Sequence, residues 1–189
     1  MRKVILLGAA AVLLAGCDQL PFFKVSSPQR KPGLWEETLQ SDRTPTPVVT
    51  QWCFDAASDH RSPVLPKGPR RPGACQKFQI SKSGGGYTVD STCSFPGGGI
   101  TLVNHATISG DYSAKYVIQS TVNVTGASDA ARDGEHKSTV TWVWKSADCP
   151  SDMSPGQVKL PTGEVVDMAA LRGMRPGGGG GGRSGGRGG

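Results

Sequence analysis

The chain is short of the residues that catalysis draws on. Only three of its 189 residues are histidine, at the unrelated positions 60, 105 and 136. G-x-S-x-G, H-E-x-x-H and G-x-x-x-x-G-K are all absent, which excludes a nucleophile elbow, a zinc-protease helix and a phosphate-cradling loop. There is no C-x-x-C pair and no histidine at ligand spacing from a cysteine, so neither a metal nor a cofactor is expected. A hydrolase would have to rest on Glu36, Glu37 or the histidines, and the expectation is a protein that is not an enzyme. Long apolar runs are missing too. The longest, Val4 to Leu14, has eleven residues. About 20 are needed to carry a helix across a hydrocarbon core about 30 Å thick.

That short run has a different meaning in its setting. Arg2 and Lys3 precede it, and Leu14-Ala15-Gly16-Cys17 follows. A basic start, a short apolar stretch and small residues before a cysteine form a bacterial lipoprotein signal. Residues 1–16 are then removed, and Cys17 becomes the acylated first residue, fixing the protein to membrane lipid. Each buried lipid CH₂ contributes about 0.8 kcal/mol, so two or three chains anchor firmly where one does not. Asp18 follows the cysteine. In lipoproteins that this signal resembles, aspartate there favours retention at the inner membrane. The expected location is therefore the cell envelope, facing the periplasm.

Charge of one sign is also lacking in the body of the chain, despite a formal net charge of +6. Six of the 21 basic residues lie at the two ends, as Arg2, Lys3, Arg172, Arg175, Arg183 and Arg187. The 15 that remain meet 15 acidic residues. No basic globular face is required, and no nucleic-acid partner is expected. The tail 176–189, glycine with scattered arginine, resembles RNA-binding segments, but an envelope location argues against that use.

Five cysteines become four once Cys17 carries lipid: Cys53, Cys75, Cys93 and Cys149. An even number in an oxidising compartment implies two disulfides. Strand parity suggests their pairing. If Phe78 and Ile80 face the core with Tyr87 and Val89, Cys93 points inward and Cys75 outward. Trp52 and Phe54 facing inward put Cys53 outward as well. The expected bridges are Cys53–Cys75 and Cys93–Cys149, provided that no bulge shifts the alternation.

What the chain does have is a period of two. Ile100, Leu102, Ala106 and Ile108 share one face; so do Tyr116, Ile118, Val122 and Val124, and Val140, Trp142 and Trp144. Such alternation marks antiparallel strands with one buried side. Turn signals stand between them at Ser83–Gly86, Pro96–Gly99, Ser109–Asp111 and Asp133–Gly134. The fold class is all-β: an up-and-down antiparallel meander of six or seven strands, as a curved sheet or open barrel. Residues 17–33 read as a proline-rich tether, 34–150 as the disulfide-bonded β domain and 151–175 as an extension. The extension carries one short helix near Val165–Arg172, and 176–189 form a disordered tail.

The opening Lys31-Pro32-Gly33-Leu34-Trp35-Glu36, followed by Trp52-Cys53, Cys75, Cys93 and Asp148-Cys149, carries a resemblance. It resembles an uncharacterised bacterial envelope family, a domain of unknown function, with a K-P-G-L-W-E opening and four cysteines. The family commonly has glycine before the final Asp-Cys, where this chain has Ala147. The resemblance implies a secreted, disulfide-bonded β domain and no particular activity.

Among candidate binding residues, Trp35, Glu36, Trp52, Trp142 and Trp144 stand out as an aromatic wall with one carboxylate. Tryptophans in such numbers also serve simply as core. The proline-stiffened loop from His60 to Pro72 is locally basic. The leading expectation is a non-catalytic binding or accessory module, for an amphipathic small molecule or an envelope protein. The alternative is a structural or stress-related protein acting by protein contacts.

Overall fold

A computed structural model describes residues 25–69, 73–95 and 99–171. The expected signal, Cys17 and the glycine–arginine tail lie outside the described residues.

Nine antiparallel strands make one open sheet. They are β1 (Gly33–Ser41), β2 (Thr44–Phe54), β3 (Cys75–Ser83), β4 (Gly86–Phe95), β5 (Ile100–Asp111), β6 (Lys115–Thr125), β7 (Gly134–Ser146), β8 (Gln157–Lys159) and β9 (Val165–Asp167). Helix α1 spans Ala56–Arg61 and α2 spans Met168–Leu171. The spatial order is β3-β4-β5-β6-β7-β1-β2-β8-β9. Strands β3 to β7 form the expected meander, and β7 then returns beside β1 rather than standing at an edge. Two additional short strands from the extension continue the sheet past β2.

The alternation read from the sequence sets the two faces. Register places Trp35 opposite both Trp52 and Trp144, Tyr116 opposite Trp142, and Ile108 opposite Ile118. These residues share an inner face, and their neighbours in sequence point outward. The inner face is not left bare. The connection from β2 to β3 folds back across it, burying Val64 and Leu65 in the same cluster as Trp35, Val89, Tyr116 and Trp142. Helix α1 opens that connection. Asp55 caps it, accepting from the Ser58 backbone N–H at 2.7 Å, while the Ser58 hydroxyl accepts from the Asp55 N–H at 2.8 Å. This reciprocal arrangement satisfies donors that a helix start otherwise leaves open.

The turn expected at Ser109–Asp111 falls inside β5, and the chain reverses at Tyr112–Ala114 instead. The helix expected from Val165 starts only at Met168, because Val165–Asp167 pair with β8. Met168 is buried in the main cluster.

The disulfides are Cys53–Cys149 and Cys75–Cys93, which corrects the pairing Cys53–Cys75 and Cys93–Cys149. Cys53 does face outward, as expected. It meets Cys149 just beyond the end of β7, in a small outer cluster with Leu34 and Met153. The error lies at Cys75. The register of β3 against β4 shifts between Cys75 and Lys77, so Cys75 stands directly opposite Cys93. One bulge reverses the parity of everything before it.

The stretch read as a tether also needs correction. Val25 packs against the core, and Arg30 is only 6% exposed. The folded unit therefore begins before residue 34. It also runs past 150, since Val158 in β8 is fully buried.

Candidate functional site

Two places on the inner side of the molecule bring chemistry-bearing residues together. The first is an aromatic cage at the covered end of the sheet. Trp142 stacks on Tyr116 with ring centroids 5.7 Å apart, and Trp52 lies 5.4 Å from Trp142. Trp52 also stacks on Phe54 at 6.0 Å. This is the aromatic wall expected from the sequence, but the chain fills it with its own cation. The Arg30 guanidinium sits 3.8 Å from the centre of the Phe54 ring and 5.2 Å from that of Trp142. A desolvated contact of this kind contributes about 2 kcal/mol.

The polar partners of Arg30 complete the plug. Its Nε donates to Asp59 Oδ1 at 2.7 Å, one guanidinium nitrogen donates to the Tyr116 hydroxyl at 3.2 Å, and the other donates to the Ser62 carbonyl. Asp59 comes from α1, so one side chain joins the segment before β1, the helix and the sheet. Burial pushes the Tyr116 phenol well above its ordinary range. The residues that follow Arg30 are held too. Trp35 Nε1 donates to the Lys31 carbonyl at 2.7 Å, and Trp144 Nε1 to that of Pro32 at 3.0 Å. Lys31 Nζ stands 3.6 Å over the Trp144 ring. Gly33 makes the entry into β1 with φ +121°, where a Cβ would collide with the carbonyls of Ser146 and Ala147. The opening hexapeptide is thus a clamp on the first strand.

The expected binding residues separate under this geometry. Trp35 is 0% exposed and presents nothing to a ligand. Glu36 faces outward, 3.4 Å from Lys145, and is removed from the tryptophans by strand parity. Trp142 is buried beneath Arg30, and Trp144 is half-buried beneath Lys31. Trp52 is half-buried and donates to Glu37. Glu37, not Glu36, is the carboxylate of the inner face. Its Oε2 accepts from the Thr50 hydroxyl at 2.8 Å and from Trp52 Nε1 at 2.7 Å. Burial raises its pKa, against the lowering effect of those two hydrogen bonds and of Arg30.

The second place is a groove of about 1230 Å³ beside β3, the edge strand. Lys77, Phe78, Gln79 and Ile80 form one wall. Val25, Ser27, Pro28 and Gln29 form a second, and Pro63, Leu65, Pro66 and Lys67 a third. Phe78 is 36% exposed, the kind of uncovered apolar surface that marks a contact site when it lines a concavity. The sequence reading missed this groove. Its walls come from three segments far apart in the chain, and two of them had been read as tether and irregular loop. Their prolines and their exposed neighbours hid the buried Arg30 and Leu65.

The family described as a protein of unknown function (DUF3617) matches residues 30–149, more than half of the chain. The chain belongs to this family. No curated protein and no solved structure matches it. The DUF3617 match begins at the caged Arg30 and ends at Cys149, the partner of Cys53. The DUF3617 region thus holds both the cage and the two bridges. Strands β8 and β9 and helix α2 follow it and extend the same sheet.

Proposed function

We propose that this DUF3617 protein is a lipid-anchored, periplasm-facing envelope protein whose β domain is a non-catalytic binding module for an amphipathic ligand. The groove beside β3 carries this reading. It combines an apolar base of Val25, Leu65, Phe78 and Ile80 with polar and charged residues at its margin, the composition of an amphiphile site. Anchoring is argued from the signal around Cys17 and gives the groove access to membrane-borne molecules. Asp18 favours the inner membrane. The aromatic cage takes no part in binding, because Arg30 occupies it.

Native mass spectrometry of the full chain after mild detergent extraction tests the reading. A co-purifying amphiphile, lost on Phe78→Asp, is the expected result. A bare protein that no amphiphile protects against heating would overturn it. The alternative, action through protein contacts, has one observation in its favour: β3 is an edge strand that, among the described residues, pairs with β4 alone. Crosslinking in cells that trapped one defined partner across β3 would support that alternative.

A further inference from the structure

We infer that the groove beside β3 holds an acyl chain of an anionic phospholipid, with the headgroup met by Lys67. The inference rests on the amphipathic-ligand reading and names the ligand. Three observations carry it.

The first is charge. Lys67 stands exposed at the margin of the groove. The carboxylate among the lining residues, Asp59, is already neutralised by Arg30 at 2.7 Å. Lys77 turns its side chain to the outer face beside Asp90, because its neighbours Phe78 and Ile80 face inward. An amphiphile entering the groove therefore meets a cation at its margin and no free carboxylate among the lining residues.

The second is shape and lining. At about 1230 Å³ the groove exceeds the ordinary range of about 300–1,000 Å³ for small-molecule sites, and it is open along one side. Its loop walls carry Pro28, Pro63 and Pro66, which have no N–H to offer a polar guest. A hydrocarbon chain loses nothing there. An added peptide strand would find partners on β3 alone, and β3 carries Lys77 and Lys82, charges that discourage edge pairing.

The third is reach. Val25 lines the groove and stands eight positions after Cys17. Eight residues extend to about 26 Å at most at about 3.3 Å each. With Cys17 in the bilayer, the groove stays within that distance of the lipid headgroups.

The test uses the full chain in nonionic detergent, offered an equimolar mixture of phosphatidylglycerol and phosphatidylethanolamine with the same acyl chains. Native mass spectrometry should show one phosphatidylglycerol retained per protein, in about tenfold preference. The exposed substitution Lys67→Glu should remove that preference, and Lys77→Glu, on the outer face, should leave it. Phe78→Asp should abolish retention of both lipids while the thermal midpoint stays within a few degrees. Equal retention of the two lipids would overturn the anionic-headgroup assignment and leave the amphipathic-ligand reading standing. Retention that survives Phe78→Asp would overturn the groove as the site. Retention of neither lipid, with an acidic extended peptide held instead, would overturn both the inference and the reading beneath it.

Discussion

The covered end of the inner face and the groove beside β3 are built from similar materials put to opposite ends. Both set cations against apolar side chains. At the covered end the cation is Arg30, buried, fully partnered and enclosed by Phe54, Trp142 and Tyr116. At the groove the cation, Lys67, stands on the margin, and Phe78 is left 36% exposed. The comparison teaches that an aromatic cluster does not by itself mark a ligand site. What matters is whether the chain has already filled it.

The two disulfides offer the strongest way to separate these regions. Cys53–Cys149 closes 96 residues near the covered end, and replacing both cysteines with serine should cost about 4.7 kcal/mol by loop entropy. Denaturant midpoints would measure this. All four tryptophans lie on β1, β2 and β7, so tryptophan emission should shift in the same variant under native conditions.

Arg30→Ala should cost nearly as much, about 3–5 kcal/mol, because it leaves Asp59 buried at 6% exposure without its partner. Arg30→Met combined with Asp59→Leu should recover part of the loss. No recovery would show that the hydrogen bonds to Tyr116 and Ser62, more than the charge pair, hold the plug.

Replacing Cys75 and Cys93 with serine opens a closure of only 18 residues and should cost about 3 kcal/mol. Here tryptophan emission should stay unchanged and lipid retention should fall, since β3 is a wall of the groove. A change in emission would mean that the two regions are coupled.

The smallest effect concerns Glu37. Burial raises its pKa above the ordinary value of 4.5, so the folded protein holds this proton more tightly than the unfolded chain does. The stabilisation is complete below about pH 4.5 and is lost as pH rises through the raised folded value. Glu37→Gln keeps an acceptor for Thr50 and Trp52 and cannot lose a proton. Its stability should gain on the unsubstituted protein as pH climbs above 4.5, read from thermal midpoints across a pH series. Parallel curves would place Glu37 in water.

Much of the architecture was legible in the sequence, because a half-buried sheet writes its period into every strand. The inner residues of β4 to β7 and the outward direction of Cys53 followed from alternation alone. The pairing of Cys75 did not, since a bulge is one local backbone event with no fixed signature in side-chain type. The role of Arg30 was hidden for a different reason. Its partners Asp59, Ser62 and Tyr116 lie 29, 32 and 86 positions away, and only the folded chain brings them together. Glu36 was preferred to Glu37 for its place in the opening hexapeptide. Counting from Trp35 by twos would have chosen Glu37.

The bridge connectivity has a consequence for how the molecule is made. The cysteines emerge from synthesis in the order 53, 75, 93, 149, and the native pairs are nested, the inner one closing before the outer one can. A chain oxidised as it appears offers Cys53 and Cys75 to each other first, which is the wrong pair. A β3–β4 hairpin formed first would keep that pair apart by placing Cys75 opposite Cys93. Cys53 finds its partner only when Cys149, 96 positions after it, has appeared. The edge strand that walls the groove thus also carries the cysteine on whose choice of partner both native bridges depend.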